Sequence, residues 1–366
     1  MPKVKYPELE IDLGKLRENI EWIVASGVIA GVKIIGVIKG VNALPKVTEV
    51  FLESELDGIG SSRIEHLRKA KKLMEGKGIR KPLMLLRVPM LSEVKEVVKT
   101  ADVSLNSEPA VLKALNKAAG KQGKVHRVIL MADIGDIREG FWDKDELVDV
   151  ALKVEEMENL YLEGIGTNVG CYGALVPTAE KLGELIPIAE RIESKIGRKL
   201  DVISGGASTS YMRITDKDMP DGINQLRMGE NILLARDNEV YHGHSTEPLH
   251  QDVFTLKAEV IEVKDKPSHP VGEINVDCFG SKPVYEDRGI RKRALIALGR
   301  ADMGSPFDLF PMREGVEVVG SSSDHTILDV TEAEKIKVGD VLEFGINYAA
   351  MVYLTQSQEI KIVYKN

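Results

Sequence analysis

From Lys33 to Gly40 the chain reads KIIGVIKG, an apolar, β-branched run that ends on a charge. Near-continuous apolar runs of this length suit strands buried on both faces of a parallel sheet. Lys39, at the end of the run, is then the difficulty. An ammonium withdrawn from water costs free energy unless it is paired, neutralised or covalently used. The ordinary alternative is a lysine that emerges into solvent where the strand stops. Which applies depends on where the strand sits in the fold.

Seven further segments share this character. With VKIIGVIK (32–39) they are LDGIGSS (56–62), PLMLLRV (82–88), ADVSLNS (101–107), HRVILMADIG (126–135), LEGIGTN (162–168), LDVISGG (200–206) and INQLRMG (223–229). The intervening segments carry helical patterns. SEPAVLKALNKAAGK has Ser107 as its expected N-cap, with Val111, Leu112 and Leu115 on one face. TAEKLGELIPIAERIESKIG has Thr178 as cap and Gly197 beyond its end. Eight alternations of strand and helix predict a (β/α)8 TIM barrel over residues 13–236. A doubly wound sheet is the alternative, but GIGSSR is not the glycine fingerprint that fold would place on its first helix. After Arg236 the pattern changes to short alternating strands and turns, which predicts a smaller, mainly β C-terminal domain over 237–366. The opening strand within residues 1–12 is expected to join it.

The bulk numbers narrow the function. The chain has 366 residues, 43% hydrophobic and 29% charged, enough for one large core and a second domain. A net charge of −8 argues against a nucleic-acid surface. No apolar run is long enough to span a membrane, and MPKVKYPELEIDL lacks the apolar core of a secretory signal. Two cysteines, Cys171 and Cys278, make no disulfide framework, so the cytoplasm is the expected location. A small-molecule substrate is the natural partner, and no metal site is expected.

Barrel active sites lie at the C-terminal ends of the strands. Those ends carry Lys39, Ser61, Ser62, Arg87, Asn106, Asp133, Arg138, Asn168, Ser204, Gly205, Gly206, Ser208, Arg227 and Gly229. SGGAS (204–208) and RMG (227–229) follow the seventh and eighth strands, where barrels often bind phosphate. Glycine lets backbone N–H groups approach an anion, and serine adds a hydroxyl. A lysine sharing a rim with a phosphate site suggests a Schiff base with pyridoxal phosphate.

At this point the sequence resembles the fold-type-III pyridoxal-phosphate enzymes of the alanine racemase family. ELEIDLGKLRENI, GVIKGVNA, DIGDIREG, GIGTN, LRMGENILLA, RALIALGRADMG, GSSSDHTILDVT, VGDVLEFG and INYAA resemble that family's segments in order. SRIEHLRK, LNSE, DCFGSKP and EDRGIRKRA are similar to an ornithine racemase-like branch. The resemblance implies an amino acid racemase, with ornithine or lysine as substrate, working as a head-to-tail homodimer with composite sites. It implies that Lys39 forms the internal aldimine and is one catalytic base, and that Arg227 contacts the pyridine nitrogen. A guanidinium does not surrender its proton, so the ring nitrogen stays unprotonated and the ring is a weaker electron sink. Arg138 is implied near the cofactor's phenolic oxygen and the substrate carboxylate. Asn168 stands where the family has a ring-stacking histidine. Ser208, the backbone groups of Gly206, Gly229 and Glu230, and Tyr348 are implied to hold the phosphate, with Ser204 a further candidate.

The sequence departs from the family at the second base. Phe279 occupies the place of a tyrosine and has no ionisable group. Asp277, Cys278, Cys171 and Tyr172 are the candidates to replace it, Asp277 first. Arg300 replaces a second family tyrosine, and Asp324 stays in the substrate-carboxylate region; Asp277, Glu273, Glu286 and Asp287 are available to read a basic side chain. The alternatives are an alanine racemase, a fold-type-III decarboxylase, a class I aldolase and a non-catalytic pyridoxal-phosphate-binding protein.

Overall fold

The computed structural model describes residues 6–366; the first five residues of the expected opening strand lie outside them. Two units are distinguished: Leu16–His250, and the residues up to Lys15 with Gln251–Asn366.

In strand order the chain forms β1 (Glu8–Asp12), β2 (Lys33–Val37), β3 (Gly58–Ser61), β4 (Leu83–Leu85), β5 (Val103–Asn106), β6 (His126–Met131), β7 (Leu160–Gly166), β8 (Val202–Ser204) and β9 (Gln225–Met228). β2 to β9 close into a barrel of parallel neighbours, β9 returning to β2 with Arg227 opposite Ile35. Ile35, Met84, Val103, Leu105, Ile129, Met131 and Val202 fill its interior. Seven of the eight barrel strands fall inside the segments expected for them, because runs buried on both faces leave a strand no solvent side to slip towards; β7 begins at Leu160, two residues before the expected 162–168.

Two helix expectations change. The helix after β5 spans Pro109–Lys121, with Glu108 rather than Ser107 at its N-cap. Pro109 begins it, where a missing N–H leaves nothing unsatisfied. The segment from Thr178 divides into Ala179–Gly183 and Leu185–Ile196. Pro187 has no N–H to return to the Gly183 carbonyl, so one continuous helix loses a bond there. Thr178 accepts from Lys181 N–H at 3.1 Å, and Gly197 closes the second helix in the left-handed conformation at φ 73°.

Residues 237–250, read from sequence as the start of the β domain, group with the barrel. Side chains tie them there: Asn238 Nδ2 donates to Ser208 O at 3.3 Å and Thr246 Oγ1 to Ala235 O at 2.7 Å. His250 N–H donates to Asn19 Oδ1 at 2.7 Å.

The second unit holds β10 (Phe254–Pro267), β11 (Ile290–Ile296), β12 (Leu309–Pro311), β13 (Glu317–Ser321), β14 (Thr326–Asp329), β15 (Val341–Ile346) and β16 (Lys361–Lys365). The sheet runs β12-β15-β10-β11-β14-β13, and β1 joins it antiparallel to β10 and parallel to β16. No helix among the described residues is long and apolar enough to cross a membrane.

Candidate active site

Lys39 follows β2 and opens a 3-10 turn, Lys39–Val41. It is half-buried at the barrel mouth. Burial holds its ammonium below the ordinary lysine range. Cys171 and Glu139 pull the other way, while the Arg138 and Arg227 guanidiniums add to the lowering. The strand end therefore does not deliver Lys39 into bulk water. It delivers it into a cluster of charged and polar groups drawn from β2, β9 and the loops after β6 and β7.

Arg227, on β9, is only 4% exposed. Its Nη1 donates to Ser204 Oγ at 2.5 Å and its Nη2 to Thr167 O at 2.6 Å. Among the described residues no carboxylate lies within ion-pair distance of it. Burial brings its pKa down to about 10, which still leaves a cation at neutral pH. Ser204 is engaged in orienting this guanidinium, so its hydroxyl is not directed to a phosphate.

The loop after β6 is shaped by its own carboxylates. Asp133 Oδ1 accepts from Gly135 N–H at 2.9 Å and Ile137 N–H at 3.1 Å, which turns the chain so that Arg138 follows. Arg138 is paired with Glu139, and its Nη1 lies 2.7 Å from Cys171 Sγ. Buried Asp136 accepts from the N–H groups of Cys171 (3.3 Å) and Tyr172 (3.1 Å), fastening the loop after β7 to the loop after β6. Sequence reading missed Asp136 and Glu139. Both stand in DIGDIREG, but only the fold brings Cys171 beside them.

Across the mouth, Ser208 Oγ accepts from Gly229 N–H (3.1 Å) and Asn231 N–H (3.3 Å), leaving its own hydroxyl proton free to donate. Gly229 N–H is thus already engaged. Gly206 has φ +111°, and a Cβ there would lie 2.9 Å from Ser210 Oγ. Glu230 sends its carboxylate back to the N–H groups of Arg236 (2.8 Å) and Asp237 (2.9 Å), so any anion contact it makes is through its main chain. Asn168 has a buried Nδ2 with no hydrogen-bond partner among the described residues.

The remaining candidates belong to the β unit. Asp277 Oδ1 accepts from Phe279 N–H (2.9 Å) and Ser281 N–H (2.8 Å), closing a turn. Arg300 stacks over the Phe279 ring, 4.3 Å from its centroid, and its Nε donates to Ser321 Oγ. Asp324 accepts from Ser323 Oγ at 2.5 Å. Tyr348 begins the helix Tyr348–Leu354, which Asn347 caps by accepting from Ala350 N–H. Cys278 is exposed. Arg288, just before β11, and Arg291 and Arg293, within it, all meet buried Asp329. In the barrel unit, Arg87, one of the strand-end residues, is paired with Glu93. Among the described residues no group of three or more His, Cys, Asp and Glu could hold a metal ion.

A barrel whose first strand ends on a half-buried lysine, and whose last carries a buried arginine without a counter-ion, defines a lysine-centred barrel site. Residues 11–236 match the family "Alanine racemase, N-terminal domain", and the chain belongs to that family. Ornithine racemase of Acetoanaerobium sticklandii is 42% identical over 348 residues, 95% of this chain and 96% of that protein. Lysine racemase of Thermotoga maritima is 39% identical over 360 residues, 98% and 99% of the two chains. Alanine racemase of Clostridium difficile 630 shares the fold, with a TM-score of 0.72, 19% identity, and 99% and 97% of the chains covered.

Proposed function

We propose that the protein is a pyridoxal-phosphate-dependent racemase that interconverts the L- and D-forms of a basic amino acid, ornithine or lysine. The observation that carries this reading is Arg227, a buried cation with no carboxylate partner among the described residues, on the same rim as Lys39. A buried charge without a partner is costly. A neutral aromatic nitrogen is an acceptor a guanidinium can serve without losing its proton. Asn168 Nδ2 is a second unspent donor, and the Ser208 hydroxyl beside the glycine backbone of Gly206 suits a phosphate. Tyr348 keeps its assignment to that phosphate from the β unit.

When bound, pyridoxal phosphate supplies an aldehyde carbon that joins to amines and a ring that accepts the electron pair left by proton removal. The chain supplies the rest. Lys39 Nζ, lowered by burial, is the covalent anchor and then a base able to take the α-proton. Arg138 orients the substrate carboxylate. Inversion needs a second group across the α-carbon; Asp277 and Cys171 are the candidates, and Cys171 is the one on the barrel rim beside Arg138. It is an exposed thiol whose Sγ lies 2.7 Å from Arg138 Nη1. Arg300 and Asp324 keep their assignment to the substrate region, and the working form is a cytoplasmic homodimer. The near-full-length relatives named ornithine and lysine racemases support a basic substrate.

Optical rotation tests the reading directly. With added cofactor, L-ornithine or L-lysine should lose its rotation completely, with kcat/KM at least about tenfold above L-alanine, the equivalent of roughly 1.4 kcal/mol of discrimination. Loss of rotation only with L-alanine would overturn the substrate, and loss with none would overturn the activity.

A further inference from the structure

The turn that carries Lys39 is held by a group with no contact to the expected reacting atoms. Lys39 O accepts from Asn42 N–H at 3.3 Å, and Ile38 O from Ala43 N–H at 3.2 Å. Asn42 and Ala43 both sit at φ 49°, in the left-handed region. Asparagine tolerates that conformation and alanine does not, so two successive residues there need support from outside the turn. Asn42 receives it twice. Its main-chain oxygen accepts from Lys69 Nζ at 3.3 Å, and its Oδ1 lies 3.0 Å from His66 Nε2.

His66 is 6% exposed, near the start of the helix Ile64–Lys77 that follows β3. Its Nδ1 lies 3.0 Å from the Oγ of buried Ser61, at the end of β3. The hydrogen-bond roles are fixed by chemistry. Asn42 Oδ1 only accepts, so Nε2 carries the ring proton, and Nδ1 is left to accept from the Ser61 hydroxyl. The ring is neutral: burial, with Lys69 and Arg63 adding to it and Glu65 opposing, draws it down to about 4. Ser61, His66 and Asn42 form one chain from the second barrel strand to the main chain of Lys39.

We infer that His66 is a positioning residue for Lys39, setting the turn on which its amine stands by donating from Nε2 to Asn42. This rests on the reading of Lys39 as the cofactor-bearing amine. A neutral, single-tautomer imidazole suits the task, because one donor and one acceptor at fixed separation lock two elements together. A histidine with no role towards Lys39 would affect stability alone.

The test compares His66→Gln, whose amide nitrogen replaces Nε2–H, with His66→Leu, which removes it. Competitive acetylation of Lys39 in the apoprotein, read by peptide mass spectrometry across pH, reports the amine itself. His66→Leu should move the labelling midpoint towards that of a free lysine. It should also lower kcat of the holoenzyme by about 10- to 100-fold with KM little changed, as a misplacement of about an ångström does. His66→Gln should restore both. Asn42→Gly keeps the left-handed turn without the link and should reproduce the His66→Leu labelling, including if His66→Leu does not fold. Wild-type labelling in His66→Leu or Asn42→Gly, or equal defects in the Gln and Leu variants, would overturn the inference. Lys39→Ala separates this from failure of the underlying reading: if borohydride still fixes the cofactor to Lys39→Ala protein, Lys39 is not the anchor.

Discussion

Arg227 and Lys39 meet the same constraint, a cation where water is scarce, with opposite results. An amine escapes the cost by moving towards neutrality, whereas a guanidinium cannot and must find acceptors. Replacing Arg227 by Met removes a buried charge that no carboxylate balances, so stability should change by no more than about 1–2 kcal/mol in either direction. Activity should fall by about 10²- to 10³-fold, as when a preorganised donor is lost from an active site. Urea unfolding and steady-state kinetics on one preparation check both; unchanged kcat/KM with a large loss of stability would make Arg227 a structural residue. A second prediction concerns pH. Burial draws His126, which meets Ser104 Oγ at 2.9 Å, down to about 4 from 6.5. A depressed pKa means the unfolded chain binds more protons between those values. Stability from His126 is therefore complete above pH 6.5 and lost as pH falls towards 4, by roughly 3 kcal/mol at full extent. Burial pushes Glu230 and Asp237 up, each reinforced or opposed by its neighbours, so their contribution has the opposite sign and is lost as pH rises. Unfolding midpoints from pH 4 to 7.5 should show a shallower acid limb in His126→Gln than in the wild type.

At the scale of elements, what was legible in the sequence was what periodicity encodes. Eight apolar runs at barrel spacing have one packing that buries both faces, and Lys39, Arg138, Ser208 and Arg227 could be placed by counting strand ends. Contacts made across loops left no such trace. Asp136 reaches the backbone of Cys171 and Tyr172, and His66 bridges Ser61 and Asn42, only because neighbouring strand ends converge. The helix break at Glu184, one turn before Pro187, was legible in principle, since the missing N–H is a property of one residue. Close approach was not: Gly164 looks unremarkable in LEGIGTN, yet a Cβ there would lie 1.8 Å from Val202 O. β6 and β7 shift register between Val128 and Ile129, bringing that glycine against β8. Gly164→Ala should cost about 3 kcal/mol, at the upper end for overpacking. That should lower Tm by about 5–10 °C. Gly183→Ala, with nothing within 4 Å of its Cβ, should leave Tm nearly unchanged. Equal melting of the two variants by circular dichroism would contradict this account of the barrel wall.

At the scale of the whole molecule, the barrel unit carries the lysine, the buried arginine and the serine-glycine cradle, while the β unit carries Arg300, Asp324 and Tyr348. The question left for solution is whether the α-proton is exchanged and returned on the other side. Proton NMR in deuterated water, with the holoenzyme and L-ornithine, L-lysine or L-alanine offered separately, answers it. The account predicts loss of the α-proton signal with equal final amounts of the L- and D-forms for ornithine or lysine, and no loss in Lys39→Ala. Exchange that leaves the substrate wholly L would mean that no second acid works opposite Lys39 and would remove Cys171 from the mechanism. No exchange with any of the three amino acids would contradict the central claim.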